Sequence, residues 1–204
     1  MSNFSDTGGV GRSTTPWART LKKPLESYSA SEENVVKSQN YSTSFTVDQT
    51  PEEAFAAIND VRGWWSGNIE GSTNKLGDEW TYRYKDVHYS KQKIAELVPG
   101  KKVVWLVLDS YLNFIEDKTE WNGTRITFEI GKKGDKTEVR FAHLGLVPEV
   151  ECYDACSNAW GGYVNSSLRT LITKGKGQPN RKEKVVGEEK SVKAKPIKKK
   201  SEKK

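Results

Sequence analysis

The feature that most constrains this chain is a succession of strand-like runs at hairpin spacing, closed by one long helical stretch. Tyr41, Thr43, Phe45 and Val47 alternate with polar residues, the period of a half-buried strand. Trp80, Tyr82 and Tyr84 alternate in the same way with Thr81 and Arg83. The runs VHYSKQKIAELV (87–98) and VVWLVLDS (103–110) follow, separated by the turn signal Pro99-Gly100. Thr124, Ile126, Phe128 and Ile130 form the next alternating set, Gly131 to Asp135 reads as a turn, and Thr137, Val139, Phe141 and His143 form the last. Consecutive strands at this spacing predict an antiparallel sheet with one apolar face.

That face needs a cover. Thr50-Pro51-Glu52-Glu53 reads as a helix start, with Thr50 as cap, Pro51 at the first helical position and Glu53 completing a capping box. This helix would carry Ala54, Phe55, Ala57 and Ile58 and stop near Gly63. After Pro148 a helical pattern runs to Gly175, and it is the one long element able to cover the sheet. The order predicts an α+β helix-grip architecture: a curved antiparallel sheet wrapped around a long C-terminal helix, with a short helix after the first strand.

Length and charge set the boundaries. A chain of 204 residues holds one ordinary domain plus tails. Residues 181–204 carry 11 Lys+Arg against 4 Glu, a net of +7, so the formal +6 of the chain is a property of this tail. Residues 41–180 hold 17 basic and 19 acidic side chains, a net of −2, and are the expected domain. Residues 1–40 read as a disordered arm and 181–204 as a disordered Lys-rich tail, because neither can bury enough apolar surface to offset the entropy of ordering. No apolar run approaches the roughly 20 residues a membrane span needs, and the N-terminus lacks the apolar core of a secretory signal. With two cysteines, the expectation is a cytoplasmic protein without a structural disulfide.

The stretch ECYDACSNAWGGYV (151–164) carries both cysteines. At 100° per residue, Cys152, Tyr153, Cys156, Trp160, Tyr163, Val164, Ser167 and Leu171 share one stripe, so both thiols face the sheet as small core residues. C-x₃-C within a helix is not a zinc-finger spacing, and no metal or other cofactor is expected. Gly161-Gly162 is costly inside a helix, at about 1 kcal/mol each relative to alanine. Two readings stand: a kink or close contact, or space for a molecule beneath the helix. His143 shares its strand face with Val139 and Phe141, so it points inward, either as a satisfied core histidine or as a polar handle in an apolar pocket. His88 lies in a tyrosine-rich turn region and is less constrained. No nucleophile elbow, zincin motif or phosphate-binding glycine loop is present, so no catalytic residue is assigned. The tail does not interleave aromatic with basic residues, which disfavours nucleic acid.

Four stretches carry a family resemblance: VRGWWSG (61–67), LGDEWTYRYKDVHYSKQKIAELVPGKKVVWLV (76–107), EWNGTRITFEI (120–130) and FAHLGLVPEVECYDACSNAWGGYVNSSLRTLITKGKGQPN (141–180). They resemble the SRPBCC domains, and more narrowly the bacterial branch similar to the C-terminal domain of the heat-shock-protein-ninety ATPase activator. The resemblance implies a START-like helix-grip fold with a cavity between sheet and last helix. The superfamily includes lipid and hormone carriers, polyketide cyclases and co-chaperone domains.

The expectation is therefore a binding module for a small apolar or amphipathic ligand. The wall would come from Trp64 and Trp65, from Tyr82, Tyr84 and Trp105 on the central strands, and from Phe128 and Phe141. The helix would add Cys156, Trp160 and Tyr163, His143 would orient the ligand, and Gly161 and Gly162 would give room. Two alternatives stand. One is a co-chaperone-like interaction domain with a chaperone or other protein partner. The other is a cyclase- or hydrolase-type enzyme using Glu96, Asp109 or Glu120 beside His88 or His143.

Overall fold

The computed structural model describes residues 39–180. The expected Lys-rich tail lies outside the described residues, as does the expected N-terminal arm apart from its last two positions.

The described residues form a seven-stranded antiparallel sheet. In chain order its strands are β1 (Tyr41–Val47), β2 (Ile69–Gly71), β3 (Glu79–Tyr84), β4 (His88–Val98), β5 (Lys102–Leu112), β6 (Arg125–Lys133) and β7 (Lys136–Leu144). Their order across the sheet is β1-β7-β6-β5-β4-β3-β2, so a six-strand meander takes the first strand beside the last. Register breaks between Lys91 and Gln92 and between Ile94 and Glu96 interrupt the β4–β5 ladder, and bulges of this kind bend a sheet. The alternation puts Phe45, Val47, Val103, Trp105, Ile126, Phe128, Val139 and Phe141 in the core. Ion pairs such as Lys102–Glu96 at 2.9 Å and Arg140–Glu129 at 3.2 Å decorate the other face.

Helix α1 (Pro51–Asn59) begins on the capping box: Thr50 Oγ1 accepts from the Glu53 amide at 3.2 Å, and Glu53 Oε2 accepts from the Thr50 amide at 2.8 Å. It does not run on to Gly63. Asp60 leaves helical geometry, and its carboxylate caps the Gly63 amide at 3.2 Å to start a second short helix, α2 (Val61–Trp64). Short polar residues compete in this way with helix continuation. The β6–β7 connection is also tighter than expected, since the strands extend to Lys133 and Lys136 around Gly134-Asp135. β2 was not anticipated, being only three residues long.

The C-terminal helix lies over the concave face in three parts: α3 (Tyr153–Gly162), a π-helical segment (Tyr163–Leu168) and α4 (Arg169–Lys174). Gly175, at φ +69°, ends it in the left-handed conformation typical of a glycine C-cap. The π segment spends extra residues per turn. The expected stripe holds at Cys156, Trp160, Val164 and Ser167, but beyond them the buried positions are Leu168 and Ile172, and the expected Leu171 is only half-buried. The N-terminus of α3 is capped from outside the helix. Glu120 accepts from the amides of Glu151 at 2.6 Å and Cys152 at 2.9 Å.

After Gly175 the chain turns back onto the α2 end. Asn180 donates its amide to Trp65 O at 3.0 Å and accepts from the Gly67 amide at 2.9 Å. Ser167 Oγ donates to Trp64 O at 2.6 Å and accepts from the Gln178 amide at 2.6 Å. Gly177 sits so close to the Gly63 carbonyl that a Cβ there would overlap it.

Candidate functional site

Between α3 and the β3–β4 end of the sheet lies a pocket of about 330 Å³, at the small end of the ~300–1,000 Å³ typical of ligand sites. Its floor is Tyr82 and Tyr84 of β3 with His88 of β4, while Val87, Phe114 and Trp121 come from loops. Trp65 and Tyr163 close one end, and α3 contributes Ala155, Cys156, Ala159 and Trp160. No lining residue is Asp, Glu, Lys or Arg. Tyr84 and Phe114 are 36% and 45% exposed, which places them at the mouth. A larger hollow of about 590 Å³ lies along the outer sheet face, lined among others by Ser42, Ser44, Thr127 and the Arg140–Glu129 ion pair. Its hydroxyls and charges are ordinary for a solvated sheet face, and it has no apolar wall comparable to the first.

Aromatic packing fixes the pocket's inner end. The Trp65 ring stacks on Tyr82 with centroids 4.4 Å apart and packs against Trp160 at 4.9 Å. Asn180 Nδ2 donates to Tyr163 Oη at 2.6 Å and reaches Tyr82 Oη at 3.4 Å, so the returning C-terminal segment holds two wall tyrosines. Burial, followed by the neighbouring Tyr163, pushes the Tyr82 phenol well up, and it stays protonated.

The two histidines occupy unlike places on either side of Trp121. His143 is fully buried and satisfied. Its Nδ1 accepts from Trp160 Nε1 at 3.1 Å, and its Nε2 lies 2.9 Å from Thr124 Oγ1. Because Nδ1 accepts, the proton sits on Nε2 and is donated to Thr124, whose hydroxyl donates on to Trp121 O at 2.6 Å. Burial, with a smaller contribution from His88, lowers the His143 pKa to about 3. His88 does line the pocket. Its ring stands edge-on to Tyr82 at 5.1 Å and to Trp121 at 4.6 Å, and its Nε2 is buried without a hydrogen-bond partner. Burial lowers its pKa to about 4, so it is neutral at pH 7.

Of the residues expected to bind, the structure brings six to the pocket: Trp65, Tyr82, Tyr84, Cys156, Trp160 and Tyr163. Trp64, Trp105, Phe128 and Phe141 instead form the packed core behind it, where Trp64 stacks on Trp105 and Phe128 meets Phe141. His143 is not among the lining residues, and both its nitrogens are bonded inside the core. Gly161 and Gly162 are not among the lining residues either. Gly162 is exposed and a Cβ there would meet nothing within 4 Å, while one on Gly161 would meet Tyr41 Oη at 3.5 Å. The small residues on the pocket side are Ala155 and Ala159, one turn apart. His88 joins the wall because a hairpin around Lys85–Val87 sets it opposite Tyr84, a pairing that its tyrosine-rich surroundings in the sequence do not specify.

Cys152 lies behind the pocket wall, where its sulfur accepts from Trp121 Nε1 at 3.3 Å. Hydrogen bonding with Cys156, and then burial, pushes the Cys152 thiol up, which makes it a packing group rather than a nucleophile. Of the carboxylates considered for catalysis, Glu96 pairs with Lys102, Glu120 caps α3, and Asp109 is exposed on β5 opposite Lys91, and none of the three lines the pocket. No helix among the described residues is long and apolar enough to cross a membrane.

Comparison with solved structures gives the same fold in several bacterial proteins. The Aha1 dimer from Colwellia psychrerythraea, a solution structure, is 23% identical with a TM-score of 0.55, covering 68% of this chain and 99% of that one. SSP2350 from Staphylococcus saprophyticus is 18% identical with a TM-score of 0.51, covering 69% and 96%. Mll3558 from Rhizobium loti is 16% identical with a TM-score of 0.50, covering 66% and 96%. No curated protein matches the sequence. Residues 48–173 match the family described as activator of Hsp90 ATPase homolog 1-like protein, and with the sheet, the gripped helix and this span of sequence in agreement, the chain belongs to that family.

Proposed function

We propose that the protein is a binding module that holds a small apolar or amphipathic molecule between α3 and the β3–β4 end of the sheet. One observation carries the reading: a pocket of about 330 Å³ walled by aromatic and small side chains, free of charged groups and open at Tyr84 and Phe114. Burying about 200 Å² of ligand there is worth about 5 kcal/mol before binding costs. The geometry does not favour an acid–base pair: His143 is bonded to Trp160 and Thr124, Glu120 to backbone amides and Glu96 to Lys102, and no carboxylate lines the pocket with His88. Binding without chemistry is therefore favoured over a cyclase- or hydrolase-type reaction.

The test is native mass spectrometry of the full chain purified from its own host. A retained small molecule, released on denaturation and lost in Ala159→Phe, is expected. A chain at its bare mass that co-purifies stoichiometrically with a protein would instead support the co-chaperone reading suggested by the family description.

A further inference from the structure

We infer that β1 is an interface between copies of this chain: two β1 edges join antiparallel about a two-fold axis at Ser44 and make one continuous sheet. The ladder fixes which backbone groups are free. Ile130 donates its amide to Lys101 O at 2.7 Å and Val107 donates to Thr124 O at 3.0 Å, so the even-numbered residues of β6 bond β5 and the odd-numbered ones bond β7. Carried through the register, Tyr41, Thr43, Phe45 and Val47 turn their backbone groups toward β7. The Tyr41 amide, donated to Leu146 O at 2.8 Å, agrees. Ser42, Ser44 and Thr46 therefore present their N–H and C=O groups along the open edge, where no bond from another of the described residues meets them. The C-terminal helix reaches β1 on its inner face, where Thr43 Oγ1 donates to Asn165 Oδ1 at 3.0 Å, and Ser42 and Ser44 stay exposed.

The two edges of the sheet are built differently. Proteins blunt an exposed edge with a short strand, a bulge, a proline or a charge. β2 has three residues, and Arg62 Nη2 donates to both its outward carbonyls, Ile69 O at 3.1 Å and Gly71 O at 2.7 Å. β1 has seven residues in unbroken register with β7, and its sequence YSTSFTV holds no charge and no proline. The strand that fits such an edge is its own copy. About a two-fold axis at Ser44, Ser42 faces Thr46 of the second copy and Ser44 faces its counterpart, so every open N–H meets a C=O. The outer-face side chains brought across are hydroxyls. The nearest charge, Asp48, falls opposite Asn40 of the second copy and keeps its ion pair with Lys136 at 2.6 Å. Contact of this self-complementary kind closes at two copies. A foreign peptide is chosen by side-chain pockets beside an edge, and the serines of β1 supply no such preference.

Sedimentation equilibrium of the full chain over a concentration series tests this, and the wild type is expected to be a dimer. In Ser44→Pro both Ser44 rungs lose their donor, which should weaken dimerisation about thirtyfold or more. The fold should be kept, because that N–H takes no part in the β1–β7 ladder. Ser44→Lys and Ser44→Glu should each be monomeric alone and pair when mixed, which unfolding would not produce. A monomeric wild type overturns the inference. Hydrogen exchange then tells whether the Ser42, Ser44 and Thr46 amides are protected by a segment of the same chain or left to water and other proteins. A dimer as tight in Ser44→Pro as in the wild type also overturns it, because the copies then meet elsewhere. So does failure of Ser44→Lys and Ser44→Glu to pair on mixing, and that mixing decides if Ser44→Pro fails to fold.

Discussion

His143 is held from both sides of its ring, and the contacts are costly to lose. Replacing it with Phe leaves Trp160 Nε1 buried without an acceptor and breaks the relay through Thr124 to Trp121 O. His143→Phe is expected to destabilise the fold by about 2 kcal/mol in urea unfolding, and a loss below about 0.5 kcal/mol would contradict the assignment. Acid should find both histidines. Their pKa values fall from 6.5 to about 4 for His88 and about 3 for His143, in each case chiefly by burial. Below pH 6.5 the unfolded chain therefore binds protons that the folded chain refuses. Their contribution to stability is complete above pH 6.5 and is lost as pH falls toward 4 and 3, at up to about 1.4 kcal/mol per pH unit for each. In His88→Phe the slope between pH 6 and 4 attributable to the histidines should be about halved, and an unchanged slope would contradict the burial of His88. The inward direction of His143 was legible from its alternation with Val139 and Phe141. Its partners were not, because Trp160 and Thr124 lie 17 and 19 residues away on other elements.

At the scale of elements, the helix start at Thr50, the Pro99-Gly100 turn and six of the seven strands follow from local patterns that the sequence states directly. The C-terminal helix shows where such reading stops. A fixed 100° wheel predicts Leu171 in the stripe, whereas the π segment brings Leu168 and Ile172 inward. No residue type within Tyr163–Leu168 announces that change. The same limit explains the glycines. Their cost was visible in the sequence, but the side on which their missing Cβ atoms point was not. Gly162→Ala is therefore expected to stabilise the chain by about 0.5–1 kcal/mol in thermal unfolding. Gly177→Ala should cost about 1–3 kcal/mol, because the added carbon drives the returning segment off Gly63. Equal effects of the two substitutions would contradict the packing described for residues 175–180.

At the scale of the whole molecule, the α+β order and the gripped helix were legible because a one-faced sheet leaves few ways to bury its apolar side. The seam that closes the domain was not. Ser66 bridges Asn180 across more than a hundred residues, and such a contact leaves no periodic trace in sequence. That seam matters to the site, since Asn180 holds the hydroxyls of Tyr82 and Tyr163 at the pocket's inner end. Burial of the large aromatic residues is divided between two jobs, with Trp64, Trp105, Phe128 and Phe141 filling the core while Trp65, Trp121, Trp160 and the wall tyrosines surround a space. This space lies beside Ala155 and Ala159 of α3, and the glycine pair does not border it. Titrating 2-naphthol, a small amphipathic probe, against Ala159→Phe and Gly162→Leu tests that placement most directly. Ala159→Phe is expected to abolish uptake while the chain stays folded, and Gly162→Leu to bind as the wild type does. Uptake preserved in Ala159→Phe, or lost in a folded Gly162→Leu, would contradict it.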